Sequence, residues 1–565
     1  MTLMTGRQAI KKIFQAECVQ YVFGNPGTTE LGFIDILQES PPIQYILALH
    51  EGIALGIAHM YANASGKTGV VNLHVAPGLG NAMGSLYNAA MGKMPLVVTA
   101  GQQDSRMLVR EPLLSHDLVA MAKPLTKWAV QLQHVEEIPV ILPRAFKVAQ
   151  DAPRGPVFIS LPSNIIEEEA DLHLPGPSET YRRTRPDPQG IDKAAELLSL
   201  ANCPVIICGD GVAASQAQDE LVHLAENIGA QVWDTMLTGA LNFPTSHNQY
   251  RGQLPGEYTI IRRAIGEADV VLAVGAELFN EVFCSEGSPL PEGCSLIHLD
   301  DSSWEIGKNL FPVIGILADP KLALKELSEV IVSKMGAAAQ QGADERRNVM
   351  ADQKQQERHR QEERARKRWD GVPISIPRLM ADLRDCLPPD VVIYNEAITA
   401  SVDLIRTIPL HIPGSLFGNH GGGIGQGLPG AIGVKLAKPD RPVVAIIGDG
   451  SAMYTVQSFW TAAHHHIPVI YIILSNQSYR ILKYNLNRYR STLNIPPKGL
   501  FHSFMDLTDP PLNFVKMAHG MGMEGKLITN PEEIQPAMRE ALDLNAPYVL
   551  EVRTEGRVPP QMRID

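Results

Sequence analysis

Short apolar and β-branched runs punctuate the chain and alternate with stretches that read as helix. In the first third these runs are YVFG at 21–24, YILAL at 45–49, TGVVNLH at 68–74 and PLVVTAG at 95–101. Strands covered on both faces read as unbroken apolar runs, and strands that alternate with helices predict a parallel sheet. GPVFISLPSN at 155–164 predicts the last strand of this unit. The stretch 165–188, with EEEA, four prolines and RRTR, predicts a surface linker. The middle third repeats the alternation with PVIICGDG at 204–211, AQVWDT at 230–235, DVVLAVGA at 269–276 and CSLIHLD at 294–300.

The last third is α/β again and echoes the first. Residues 67–101 and 441–476 both run strand, small-residue turn, helix, proline, strand. Between them, 336–370 is a mixed-sign charge run that predicts a solvated helix and linker. The expected fold class is α/β with three parallel-sheet domains, over 1–175, 188–335 and 371–565, and 336–370 as the charged linker. Two similar domains then flank a third.

Composition narrows the function classes. The chain has 565 residues, 45% of them hydrophobic and 19% charged, with a net charge of −12. An acidic surface repels phosphate backbones, so a nucleic-acid partner is not expected. The opening MTLMTGRQAIKKIF lacks the apolar core of a signal peptide, and no apolar run reaches the ~18–20 residues of a membrane span. Cys18, Cys203, Cys208, Cys284, Cys294 and Cys386 show no CxxC spacing, which argues against a disulfide framework or zinc site. A cytoplasmic enzyme is expected.

The strongest chemical signal is GDGS at 448–451. Asp449 follows the run VVAII, which puts its carboxylate at the carboxyl edge of a strand, where open α/β sheets bind ligands. The glycines allow close approach to a phosphate. One helix and one strand later the chain reaches Asn476, 27 residues on. A carboxylate and an amide oxygen at one edge form a hard donor set suited to Mg²⁺. GDG alone is also an ordinary turn, and Asn476 alone a loop cap; the combination is what carries the reading.

With these residues in hand, the chain resembles the thiamine diphosphate (ThDP) enzymes of the 2-oxoacid decarboxylase and acetolactate synthase superfamily, most of all benzoylformate decarboxylases. The resemblance implies pyrimidine, middle and diphosphate domains in that order. It implies that Asp449, Asn476 and the carbonyl of Ser478 hold the Mg²⁺ that bridges the diphosphate. It makes Glu51, in LHEG at 49–52, the carboxylate that bonds N1′ of the aminopyrimidine and drives proton exchange at C2. Read by itself, Glu51 is equally a carboxylate at a helix start. NPGTTE at 25–30 resembles the loop that lines the substrate pocket, giving Asn25, Pro26, Gly27 and, as a catalytic group, Thr28. NLHVAPGLGNAMG at 72–84 resembles the benzoylformate decarboxylase pattern rather than the Ser-Gly-Pro-Gly of acetolactate synthases. His74 would then serve as a proton donor or acceptor; a satisfied core histidine is the other reading. Asn81, Thr399, Gly422, Gly423, Gly448, Gly450, Ser451 and Tyr479 are the further cofactor contacts implied, with Ile424 as the apolar wedge beneath it.

Two departures bear on the substrate. Val282 falls where benzoylformate decarboxylases have a second catalytic histidine, and Ile481 where they have a small residue. Leu113 and Ile398 complete the expected pocket. The activity implied is a ThDP- and Mg²⁺-dependent lyase or carboligase on a 2-oxoacid, with acetolactate synthase-like condensation as the alternative. Two other classes remain. GLGNAMG with Asp104 about 20 residues on also fits a dinucleotide-binding oxidoreductase, and a non-catalytic binding module could keep the fold. CGDG at 208–211 could be an adenine-nucleotide turn, as in FAD-bearing relatives; we read it as structural. His420 and His464–His466 invite a metal reading, but adjacent helix residues point in different directions. By resemblance the chain forms a homodimer or homotetramer with active sites between chains, acting on small 2-oxoacids or aldehydes.

Overall fold

The computed structural model describes all residues except 1, 40–41, 175, 177–179, 283, 496–502, 557 and 559–565. Three six-stranded parallel sheets carry the chain. The first contains β2 (Tyr21–Gly24), β3 (Gln44–Leu47), β4 (Gly69–Leu73), β5 (Leu96–Gln102), β6 (Trp128–Gln131) and β7 (Val157–Pro162), in the order β3-β2-β4-β5-β7-β6. The third contains β15 (Val392–Glu396), β16 (Leu416–Gly418), β17 (Val443–Gly448), β18 (Val469–Ser475), β19 (Glu524–Ile528) and β20 (Tyr548–Arg553), in the order β16-β15-β17-β18-β20-β19. Counted along each domain, both sheets have the order 2-1-3-4-6-5. The two echoing segments supply β4–β5 and β17–β18, which occupy the same two central positions.

The middle sheet differs. It holds β9 (Pro204–Cys208), β10 (Gln231–Asp234), β11 (Tyr250–Gln253), β12 (Val270–Val274), β13 (Ser295–Asp300) and β14 (Ile314–Leu317), in the order β11-β10-β9-β12-β13-β14. That is the 3-2-1-4-5-6 order of dinucleotide-binding sheets, reversing between β9 and β12. Of the surface linker expected over 165–188, the first part is structured, whereas the described residues between 173 and 187 form no helix or strand. Its β8 (Glu169–Leu172) pairs antiparallel with β1 (Thr2–Thr5), so the last strand of the first unit is β8 rather than β7. The charge run forms one helix, Ala337–Arg366, which buries Ala343, Met350, Lys354 and Ala365. No helix among the described residues is long and apolar enough to cross a membrane.

The first and third domains meet through two apolar helices, Glu51–Ser65 and Gly427–Ala437. The former buries thirteen of its fifteen residues, as expected for a helix that is apolar all round. A Cβ at Gly433 would sit 2.1 Å from the carbonyl oxygen of Ile57, so glycine there sets the helix separation.

All three domains meet at His420. Its Nδ1 lies 3.1 Å from Asp210 and its Nε2 3.5 Å from Glu277, both carboxylates belonging to the middle domain. Lys93 of the first domain lies 3.1 Å from Glu277 and 3.5 Å from Glu305. Burial opposes charge on His420, but the bonds to Asp210 and Glu277 outweigh it and raise its pKa to about 10. His420 is therefore an interdomain imidazolium between two carboxylates. The rings of His464 and His465 meet edge to face at 4.7 Å, but no metal-holding group of three or more His, Cys, Asp or Glu forms among the described residues. His464 stacks on Trp460 at 4.5 Å, and His465 Nε2 accepts a hydrogen bond from the Leu47 amide at 2.9 Å.

A group whose folded pKa lies above its unfolded value of about 6.5 stabilises the fold fully below that value, and the contribution is gone once pH passes the folded pKa. We expect His420→Gln to cost about 3–5 kcal/mol near pH 6, the cost of stranding buried charges. Urea denaturation from pH 6 to 10 should show the gap to wild type closing steadily; a gap that does not change with pH would remove the imidazolium assignment.

Candidate active site

The site has two halves, one built at the carboxyl edge of each similar sheet. In the first domain, His74 follows β4 and Gly27 follows β2. A Cβ at Gly27 would lie 2.1 Å from the His74 ring, so glycine makes room for the imidazole. His74 Nδ1 lies 2.8 Å from a Glu30 carboxylate oxygen, and Glu30 is 1% exposed. Glu30 also accepts from the Gly27 amide at 3.0 Å and the Thr29 hydroxyl at 2.6 Å. This fixes the ring through Nδ1 and leaves Nε2 without a hydrogen bond among the described residues, the arrangement in which a carboxylate orients a working histidine. Thr28 is exposed; Thr29, not Thr28, approaches His74, at 3.5 Å. Glu51 opens the helix Glu51–Ser65, is buried, and accepts from the Asn81 side-chain amide at 3.0 Å. Asn25 and Pro26 lie in the turn between β2 and Gly27.

In the third domain, Asp449 follows β17 and is 2% exposed. Its carboxylate accepts from the amides of Gly450 at 2.8 Å and Gln477 at 2.5 Å. Burial pushes its pKa up to about 6 against those bonds. Asn476 Oδ1 accepts from the Ser478 amide at 3.0 Å, the Ser478 carbonyl expected to face a metal accepts from the Arg480 amide at 2.8 Å, and the buried Ser478 hydroxyl has no hydrogen-bond partner among the described residues. The donors gathered here are all oxygens, and Asp449 has no ion-pair partner among the described residues. That chemistry fits a small hard cation such as Mg²⁺, whose charge would hold Asp449 ionised. The Tyr479 ring packs on Gly450, where a Cβ would meet it at 2.5 Å. Gly448 leaves open space on its side-chain face, and Ser451 is buried.

The glycine loop is held from beneath by a residue that sequence reading left without a role. Glu396, at the end of β15, is buried and accepts from the amides of Gly425 at 3.0 Å, Gln426 at 3.1 Å and Gly427 at 2.8 Å. Burial raises its pKa to about 7 against those three bonds. Asn88 of the first domain bonds Gly423 in both directions, at 2.9 and 3.1 Å. The loop that carries Gly422, Gly423 and Ile424 is thus clamped on both sides. Glu30 was legible only as the last letter of NPGTTE, because its partner stands 44 residues away.

Backbone strain marks the same places. The two β-branched residues with positive φ among those described are Val75 (42°), next to His74, and Ile398 (50°), next to Thr399. Gln477 (55°) sits between Asn476 and Ser478. Each costs on the order of 1–3 kcal/mol and persists only where the surroundings impose it, as at functional sites. The remaining pocket residues are more dispersed. Ile398 and Ile481 line one cavity with Thr399, whereas Leu113 and Val282 are exposed, 82% and 60%, on loops of the first and middle domains.

The glycines of the two rival motifs are used otherwise. The glycines of GLGNAMG lie inside the helix Val75–Met91 rather than in a strand–helix turn, so they cannot cradle a diphosphate there. At CGDG, a Cβ on Gly211 would lie 2.5 Å from Gly275, so that glycine serves the close passage of two backbones.

Comparison with known proteins matches the chain in all three domains. Residues 4–121, 191–327 and 400–552 match the N-terminal TPP binding, central and C-terminal TPP binding domains of the family described as thiamine pyrophosphate enzyme. A benzoylformate decarboxylase from Pseudomonas aeruginosa is 32% identical over 99% of this chain and 100% of its own. An acetolactate synthase isozyme 3 large subunit from Escherichia coli is 27% identical over 96% of this chain and 93% of its own. The solved structure of a thiamine diphosphate-dependent 4-hydroxybenzoylformate decarboxylase from Rhodococcus jostii superposes with a TM-score of 0.84 at 30% identity, covering 98% of this chain and 100% of that one.

Glu396→Gln can offer only one accepting oxygen to three amides and turns an NH₂ toward them. We expect amide hydrogen exchange at Gly425, Gln426 and Gly427 to speed at least tenfold, a loss of about 1.4 kcal/mol or more, since bonds to a charged group are worth about 1.5–3 kcal/mol. Unchanged protection there would show that the loop does not depend on the carboxylate.

Proposed function

This chain belongs to the thiamine pyrophosphate enzymes, and we propose that it acts on a 2-oxoacid as a lyase or carboligase, with the cofactor's diphosphate held through Mg²⁺. The observation that carries this reading is the buried, cation-free Asp449 carboxylate beside Asn476 and the unpartnered Ser478 hydroxyl. Asp449, Asn476 and Ser478 would hold the metal. Gly448, Gly450 and Ser451 would face the diphosphate, and Ile424, on its clamped loop, would bear on the rings. Bound there, the cofactor supplies a carbon nucleophile and an electron sink for loss of CO₂.

The residues of the chain move protons. Glu51, steadied by Asn81, would hold a proton at a pyrimidine nitrogen of the bound cofactor. His74, with Nδ1 committed to Glu30, gives or takes a proton through Nε2. By resemblance Val282 stands in place of a second proton donor and has no proton to give, which would favour capture of a second carbonyl compound; product analysis separates aldehyde release from condensation.

Active sites between two chains fit the same picture. No hydrogen bond or ion pair joins Glu51 or His74 to Asp449 or Asn476 among the described residues. The helix Val75–Met91 leaves Gly80 and Gly84 facing open space and Tyr87 and Met91 about 40% exposed, a face that a second copy of the chain would cover. We infer a homodimer as the minimal unit.

Asp449→Ala should abolish saturable ThDP/Mg²⁺ binding in calorimetry, because the diphosphate would face the site without its bridging metal. Undiminished affinity would end this reading. His74→Ala should lower turnover of the best 2-oxoacid by about 10³–10⁴-fold, the upper part of what general acid–base groups supply, because no second imidazole shares the task. Near wild-type turnover would reduce His74 to a packing residue.

A further inference from the structure

We propose that the substrate carries, besides its 2-oxoacid group, a second anionic group that Arg480 binds. This rests on the 2-oxoacid reading above and extends it to the substrate's class. The helix Arg480–Thr492 starts directly after Tyr479, so its first turns stand beside the Asn476–Ser478 loop. Residues 481, 484, 485 and 488 recur at helical spacing and, with Ile398 and Thr399, line a cavity of about 1070 Å³. That is at the upper end of small-molecule sites, ~300–1000 Å³, and leaves room beyond a compact 2-oxoacid.

Its lining is basic, as is that of a neighbouring cavity faced by Arg358, Arg384 and Arg406. Arg364, Lys367, Arg368, Arg480 and Arg488 face the first of these, against Asp403 and Glu555. Arg364 lies 3.1 Å from Asp403, and Arg368 pairs with Glu555 and Arg488 with Glu257. Arg480 and Lys367 make no ion pair among the described residues. The Arg480 Nε is buried without a hydrogen-bond partner among the described residues, and its guanidinium stands 5.6 Å from the Tyr484 ring. A buried donor left unpaired is costly unless something brought to the site accepts from it. A guanidinium fork matches a carboxylate, sulfonate or phosphonate.

The carboxylate lost as CO₂ is not the group these cations serve. Only interactions stronger in the transition state speed a step, and holding that leaving carboxylate as an anion would oppose its departure. The cations suit a group that stays on the product.

The test uses the ThDP/Mg²⁺-loaded enzyme and pairs matched in size: 2-oxopentanoate against 2-oxoglutarate, and benzoylformate against its 4-carboxy and 4-sulfonato derivatives. Release of CO₂ gives kcat/KM for each. We expect the anionic member of at least one pair to be preferred tenfold or more, with KM rising with added NaCl because screening weakens the contact. Arg480→Gln should lower kcat/KM for that member by about 30-fold or more, the range for losing one side of a desolvated charge pair. The neutral member should move by less than about threefold, and Arg480→Lys should recover part of the loss. Preference for the neutral members, or an equal fall for both in Arg480→Gln, overturns the proposal while leaving the 2-oxoacid reading intact. No CO₂ from any probe overturns both.

Discussion

Two carboxylates buried at the carboxyl edge of the third sheet impose most of what surrounds them. Glu396 and Asp449 each lack an ion-pair partner among the described residues, and taking a carboxylate out of water without compensation costs several kcal/mol. Backbone amides meet that requirement. Three successive amides bend around Glu396, which fixes the glycine loop and the start of the helix Gly427–Ala437. Two more close on Asp449, and the Gln477 amide reaches it only because Gln477 adopts φ +55°. The strained turn between Asn476 and Ser478 is thus a consequence of where a charge was buried. The same turn leads directly into the helix Arg480–Thr492. Charge burial, backbone conformation and the course of the chain beyond it are linked.

The central strands were legible because parallel strands covered on both faces leave unbroken apolar runs. β4, β5, β9, β12, β17 and β18 all read that way. Strands at the margins did not. β6, WAVQ, is half-buried throughout, β11 is YRGQ, and β1 and β8 each expose two of four residues; such short segments look like loop in sequence. The repeat at 67–101 and 441–476 was more informative than any single strand, since it fixed which two domains share a sheet order.

The site was legible where chemistry is compressed into adjacent letters, as in GDGS or LHEG. It was not where one group depends on another far along the chain. Glu30 works through His74, Glu396 through residues 425–427, and Asp210 and Glu277 through His420. Each of these acids reads as an ordinary charge until the fold supplies its partner. The threonine of NPGTTE shows the finer limit: the 3-10 turn Thr28–Glu30 exposes Thr28 and directs Thr29 toward His74.

The middle domain shows how little strand order says about ligands. It has the dinucleotide-binding order and a Gly-Asp-Gly at its switch point, yet the glycines there admit neighbouring backbone and the acids bind a histidine. Asp210 and Glu277 follow the two strands at that switch point, and their charge would repel a diphosphate brought close to them. What they hold instead is His420, one residue before the loop clamped by Glu396 and Asn88. A fold that elsewhere grips a cofactor here positions the loop that another domain offers to one. The ion pairs that dock the three domains and the bonds that shape the cofactor loop therefore belong to one connected network, so loosening the domain junction should reach the site through His420 before it reaches it through the core.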